Sequence, residues 1–174
     1  MKPTEIIEAL RSKLNLPGGR HLYGVLGSYS ALAEFARKLT QARTMDGRNF
    51  PKPLSVNRGI LDAIPDDEFR QLVENEAKRP EPTAAHVAKA FEAFLRSKLK
   101  GKGLVVLASL EMIFAYHLEL NILRTLAADE DRVLLLLPGR RSGGRIIMFP
   151  NMEEGNYALP TNLIAEDHLW ELKD

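Results

Sequence analysis

The chain contains no cysteine, which removes disulfides and thiolate-held metals and suits a reducing compartment. No stretch approaches the ~18 apolar residues that a membrane span requires. The N-terminus, Met1-Lys2-Pro3-Thr4-Glu5, runs straight into an amphipathic pattern without the apolar core of a signal peptide. Charge of one sign is also missing, because 24 Lys and Arg face 23 Asp and Glu for a formal net charge of +1. Bulk electrostatics therefore cannot drive strong binding to nucleic acid or membrane, and any such contact has to be local. Internal repeats and low-complexity tracts are absent as well. What remains is 45% hydrophobic and 27% charged over 174 residues, the composition of one globular domain spanning 1–174. The expectation is a soluble, cytoplasmic protein.

Apolar spacing gives the element order. Ile6, Ile7, Leu10 and Leu14 share a helical face behind Pro3, and Pro17-Gly18-Gly19 ends that helix. His21 to Gly27 reads as a strand, Ser28-Tyr29-Ser30 as a tight loop, and Leu32, Phe35, Ala36 and Leu39 as the inner face of a second helix. Thr44 to Pro53 reads as a loop before a short strand at Leu54–Val56. Asp66–Ala77 predicts a charged helix closed by the breaker Pro80-Glu81-Pro82. Thr83 is then expected to cap a helix whose inner face is Val87, Phe91, Phe94 and Leu95. Leu104-Val105-Val106-Leu107 and Arg132 to Leu137 are unbroken apolar runs, as expected of strands covered on both faces. Between them Leu110–Leu126 predicts one largely buried helix, which completes a βαβ unit. Pro138–Gly144 reads as a loop and Arg145–Phe149 as a strand. An edge strand at Asn156–Leu159 and a tail from Leu163 to Leu172 follow, with Trp170 expected to pack on the core. The fold class is α/β: three layers, with a mostly parallel sheet flanked by helices in a Rossmann-like or degenerate P-loop NTPase-like layout.

Such sheets bind ligands at the carboxyl ends of their strands. After Leu26, Gly27-Ser28-Tyr29-Ser30 holds one glycine and two serine hydroxyls but no lysine, so a phosphate would lack its cation. The alternative reading is a turn that caps a helix through Ser28 or Ser30. After Leu107, Ala108-Ser109-Leu110-Glu111 leaves the magnesium-ligand position without an acid, and Glu111 reads as a helix N-terminal acid. Gly27, Ser28, Ser30, Ser109 and Glu111 thus mark a degenerate nucleotide site, with no catalytic residue and no bound cofactor expected. After Leu137, Pro138, Gly139, Arg140, Arg141, Gly143 and Arg145 form a basic, glycine-rich stretch suited to a partner or a phosphate. The same stretch also reads as a solvated hairpin loop. The four histidines lack metal-ligand spacing, and no serine sits in a G-x-S-x-G context.

Pro138-Gly139, Gly143, Ile146 and Phe149 follow a P-G-x-x-x-G-x-x-[LI]-x-x-F pattern that resembles the small BrxB-type proteins of BREX phage-defence systems. Leu120–Leu126 resembles the helix that precedes this strand in those proteins, and Asn156-Tyr157 their following aromatic segment. Leu110-Glu111-Met112-Ile113-Phe114 resembles a helix of BrxF-type proteins, which are small P-loop proteins; here Ala108 replaces the aspartate and the P-loop lysine is missing. The resemblance spans residues 104–160. It implies an accessory or adaptor role in restricting bacteriophage, alongside a large ATPase, a PglZ-like protein and a DNA methyltransferase. The alternative is a regulator that contacts nucleic acid through Arg140, Arg141 and Arg145, with a weak nucleotide binder as a third reading.

Overall fold

The computed structural model describes residues 1–76, 78, 80–150, 152 and 157–173, with Pro80 and Glu81 described at the backbone only. Unbroken apolar runs make the sheet centre: β1 (Leu22–Gly27), β3 (Leu104–Ala108) and β4 (Arg132–Ser142). Their alternate side chains feed two separate cores, as the two-residue period of a strand dictates. Tyr23, Val25, Val106, Leu134 and Leu136 face one side, with Ile6, Leu10 and Phe35 packed on them. Leu22, Leu26, Val105, Leu107 and Leu135 face the other, under Ile60, Phe91 and Leu95.

Helices α1 (Pro3–Leu14) and α2 (Tyr29–Gln41) supply the first layer. The opposite layer holds α3 (Val56–Ala63) and α5 (Pro80–Leu99), together with the short α6 (Glu111–Ala115) and α7 (Asn121–Leu126). A charged helix α4 (Asp66–Asn75) contributes no fully buried residue. With β2 (Leu54–Ser55) and β7 (Leu169–Glu171), the parallel strands lie in the order β2-β3-β4-β1-β7. An antiparallel extension follows from β4 through β5 (Arg145–Met148) to β6 (Tyr157–Ala158). This is the expected three-layer, mostly parallel α/β architecture. The helix after β1 covers one face and those after β2 and β3 the other, so the layers switch at β1.

Several boundaries differ from the sequence expectation, each for a local reason. Pro80-Glu81-Pro82 does not break a helix; α5 begins at Pro80. Prolines are tolerated in a first turn because those N–H groups have no intrahelical acceptor. Thr83 therefore sits inside the helix, buried, rather than capping it. The single helix expected over Leu110–Leu126 is two, parted at His117, which takes a left-handed φ of 51°. The His117 N–H bonds the Phe114 carbonyl at 3.0 Å and the Leu118 N–H the Ile113 carbonyl at 2.9 Å, a Schellman stop built on histidine instead of glycine.

Val56 opens α3 instead of ending a strand; the Ser55 hydroxyl caps it by accepting from the Arg58 N–H at 3.2 Å. Gly59 lets α3 lie against α5, since a Cβ there would come within 2.3 Å of the Phe94 ring. Pro138–Ser142 is not a loop but the end of β4. Proline fits because the sheet partner changes there: Pro138 pairs with Gly27 of β1, and its carbonyl accepts from Phe149 of the hairpin at 2.7 Å. Only Gly143 and Gly144 form the turn, with φ of 54° and 77°, a two-residue connection that favours glycine. The supposed tail holds β7, paired to β1, with Trp170 packed into the core as expected. The expected edge strand is seen at Tyr157–Ala158; Asn156 lies outside the described residues, as does Ala77 of the expected charged helix.

Candidate functional site

The carboxyl ends of β1, β2 and β3 converge where a doubly wound sheet holds its ligand. Gly27 ends β1, and Ser28 begins the turn into α2 with its hydroxyl accepting from the Ala31 N–H at 3.3 Å. Ser28 is therefore a helix cap, and its Oγ lies 3.1 Å from that of Ser30. Across the crevice, Ser109 turns the chain after β3 with a left-handed φ of 53°. Its carbonyl accepts the Asn57 N–H at 3.0 Å. The strained turn brings Glu111 toward α2.

Two neutral donors then hold the Glu111 carboxylate. The Tyr29 hydroxyl donates to one oxygen at 2.9 Å, and the Asn57 amide nitrogen to the other at 2.8 Å. The Asn57 amide oxygen in turn accepts the Met112 N–H at 3.0 Å, which ties α3 to the start of α6. Loss of water around the Tyr29 hydroxyl, and then the adjacent Glu111 carboxylate, push its pKa up to about 12. The five expected positions Gly27, Ser28, Ser30, Ser109 and Glu111 do gather at the carboxyl end of the sheet. Their arrangement puts a protein carboxylate beside the first turn of α2, where an anionic ligand would need its cation. Glu111 is more than a helix-terminal acid, and sequence reading missed its two partners. In the sequence Tyr29 marks only a turn, and Asn57 lies 54 residues from Glu111 with no motif to link them.

The basic stretch is dispersed by its hairpin geometry. Pro138 and Gly139 are buried in the strand, and a Cβ on Gly139 would meet the Ile147 carbonyl at 2.6 Å. Arg140 and Arg141 are successive strand residues and so leave opposite faces. Arg141 is drawn back onto the 166–171 segment. Its Nη1 lies 2.8 Å from Glu166, its Nε 3.7 Å from Glu171, and its backbone N–H donates to Glu171 at 3.2 Å. The curled hairpin and the 159–169 segment enclose a cleft of about 890 Å³ that Arg20, Arg124, Arg141 and Arg145 line together. Arg20 and Arg124 carried no signal in the sequence, because isolated arginines over a hundred residues apart form no pattern.

Among the described residues no group of three His, Asp or Glu side chains is placed to hold a metal ion. No helix among them is long and apolar enough to cross a membrane. The fold and the site define a three-layer α/β protein of the Rossmann-like or P-loop-like kind. No protein-family model, curated protein or solved structure matches this chain.

Proposed function

We propose that this protein is a non-catalytic binding module, an adaptor that works by presenting surfaces to other proteins. The observation that carries this reading is the Glu111 carboxylate, held between Tyr29 and Asn57 at the strand ends. A phosphoryl-transfer site needs cations where charge develops. Here Ala108 supplies no metal-binding acid, the turn at Gly27–Ser30 supplies no lysine, and a fixed negative charge faces the first turn of α2. Exposed apolar side chains support the same reading. Phe69 and Val73, one helical turn apart on α4, and Leu61 at the end of α3 all remain open to solvent.

The resemblance of residues 104–160 to small BREX proteins makes the partners, on this proposal, the large ATPase or the PglZ-like protein of such a defence system. Co-expression with each, followed by size-exclusion chromatography, is expected to give a co-eluting complex while ATP turnover by the isolated chain stays at background. Separate elution from both partners, or magnesium-dependent ATP turnover lost in Glu111→Gln, would contradict it.

A further inference from the structure

The cleft beneath the β4–β5 hairpin lies away from the strand-end crevice, and its charge is unbalanced. Among the described residues, four arginines line it against one carboxylate, Glu166, which is already engaged by Arg141. Arg20, Arg124 and Arg145 have no ion-pair partner among the described residues. They come from four separate places with Arg141: the chain before β1, helix α7, and the two strands of the hairpin. Nothing local in the sequence requires them to meet. Gathering like charges around one concavity costs free energy unless an anion answers them.

The lining narrows the anion's chemistry. No Phe, Tyr or Trp lines the cleft and His168 is the one aromatic ring among its described lining residues, so base stacking, the usual anchor of single-stranded nucleic acid, has a poor platform. A volume of about 890 Å³ matches a small-ligand site. A single carboxylate would leave most of the guanidinium charge unanswered. Phosphate groups concentrate several charges in a small volume and match the planar guanidinium fork. Thr161 and Asn162 add neutral hydrogen-bonding groups to the lining.

We infer that this cleft binds a small ligand carrying two or more phosphate groups, through Arg20, Arg124 and Arg145. Arg141, locked to Glu166 and Glu171, shapes the wall. This inference does not rest on the adaptor reading, since a chain that ignores phosphates could still co-elute with a partner, and the reverse.

The test is calorimetry of the full chain with pyrophosphate, tripolyphosphate and ADP, without magnesium and at low salt. Binding is expected for tripolyphosphate, weakening as salt is raised. Arg124→Ala and Arg145→Ala should each weaken it by about tenfold or more, the scale of a lost charge-assisted contact. The surface change Arg37→Ala should leave it intact. Equal affinity for pyrophosphate and ADP assigns recognition to the phosphates alone, and tighter ADP binding adds a nucleoside contact; both support the inference. It is overturned by absence of heat with all three probes in a folded sample. Binding indifferent to the two arginine variants, or heat with hexaglutamate or a DNA duplex but not tripolyphosphate, overturns it as well.

Discussion

Two regions of this molecule treat charge in opposite ways. At the carboxyl ends of β1 and β3, Glu111 is met by Tyr29 and Asn57, and Asn57 is met again by the Met112 N–H and the Ser109 carbonyl. Under the β4–β5 hairpin, Arg20, Arg124 and Arg145 face a cleft with no counter-charge of their own among the described residues. Topology directs attention to the first region, because layer switching puts a crevice there. Charge balance directs it to the second. A polar group already satisfied within the chain gains little from a ligand, whereas an uncompensated cation gains a great deal.

The largest effect should come from prying the cleft's floor off the sheet. A Cβ on Gly24 would sit 2.7 Å from Leu169, 2.8 Å from Ile164 and 2.9 Å from Leu137. Gly24→Val should therefore cost about 3 kcal/mol, at the upper end of ordinary overpacking, read as a lower urea midpoint. A stability within 0.5 kcal/mol of the parent, the scale of an ordinary surface change, would mean the segment is not seated on β1 as described.

Next comes the crevice. Asn57→Ala removes both the donor to Glu111 and the acceptor for Met112, and should destabilise by about 1–3 kcal/mol in denaturant titration. Asn57→Asp should be worse at pH 7 than at pH 4, because it sets a second carboxylate against Glu111. If Asn57→Ala is neutral, the claim of internal saturation there fails.

Much of the frame behind this comparison is legible in the residues. Leu104–Leu107 and Arg132–Leu137 have too few polar residues to be anything but covered strands, and Leu32, Phe35 and Leu39 repeat at helical spacing. Gly27, Ser28 and Glu111 follow because strand ends are where α/β sheets place sites. Helix α3 escapes notice because its eight residues include Gly59 and offer only Val56 and Ile60 as fully buried anchors. The break at His117 is hidden because a left-handed stop is normally marked by glycine. β7 is three residues long, too short for alternation to register. The arginine cleft is invisible for a different reason: it exists only because the hairpin curls back, which no spacing rule encodes.

A third test concerns the amino end of β1, next to Arg20. His21 is buried, with its Nδ1 2.7 Å from the Tyr23 hydroxyl. Burial first, and then the Arg132 guanidinium, lower its pKa below 6.5. The fold therefore holds His21 neutral while the unfolded chain takes up a proton below that value. Stability from this group is complete above pH 6.5 and is lost as pH falls below it. His21→Gln should flatten that acid-side decline in thermal melts between pH 7.5 and 5; an unchanged slope would assign the decline to other groups.

The smallest effect belongs to Tyr29, whose ring is about half exposed. Its raised pKa means that any stabilisation from the neutral hydroxyl is complete below pH 10 and is lost as pH climbs toward about 12. Ultraviolet titration should show three late-ionising tyrosines, Tyr23, Tyr29 and Tyr116, of which Tyr29 alone shifts part of the way back toward 10 in Glu111→Gln. No shift would break the Tyr29–Glu111 link.

The contrast between the two regions is tested most directly by backbone-amide NMR of the full chain titrated with tripolyphosphate, with and without magnesium. Shifts are expected at Arg20, Arg124, Gly143–Arg145 and Asn162 in the absence of magnesium, with Gly27–Ala31 unmoved under either condition. Magnesium-dependent shifts at Gly27–Ala31, with the hairpin silent, would contradict it.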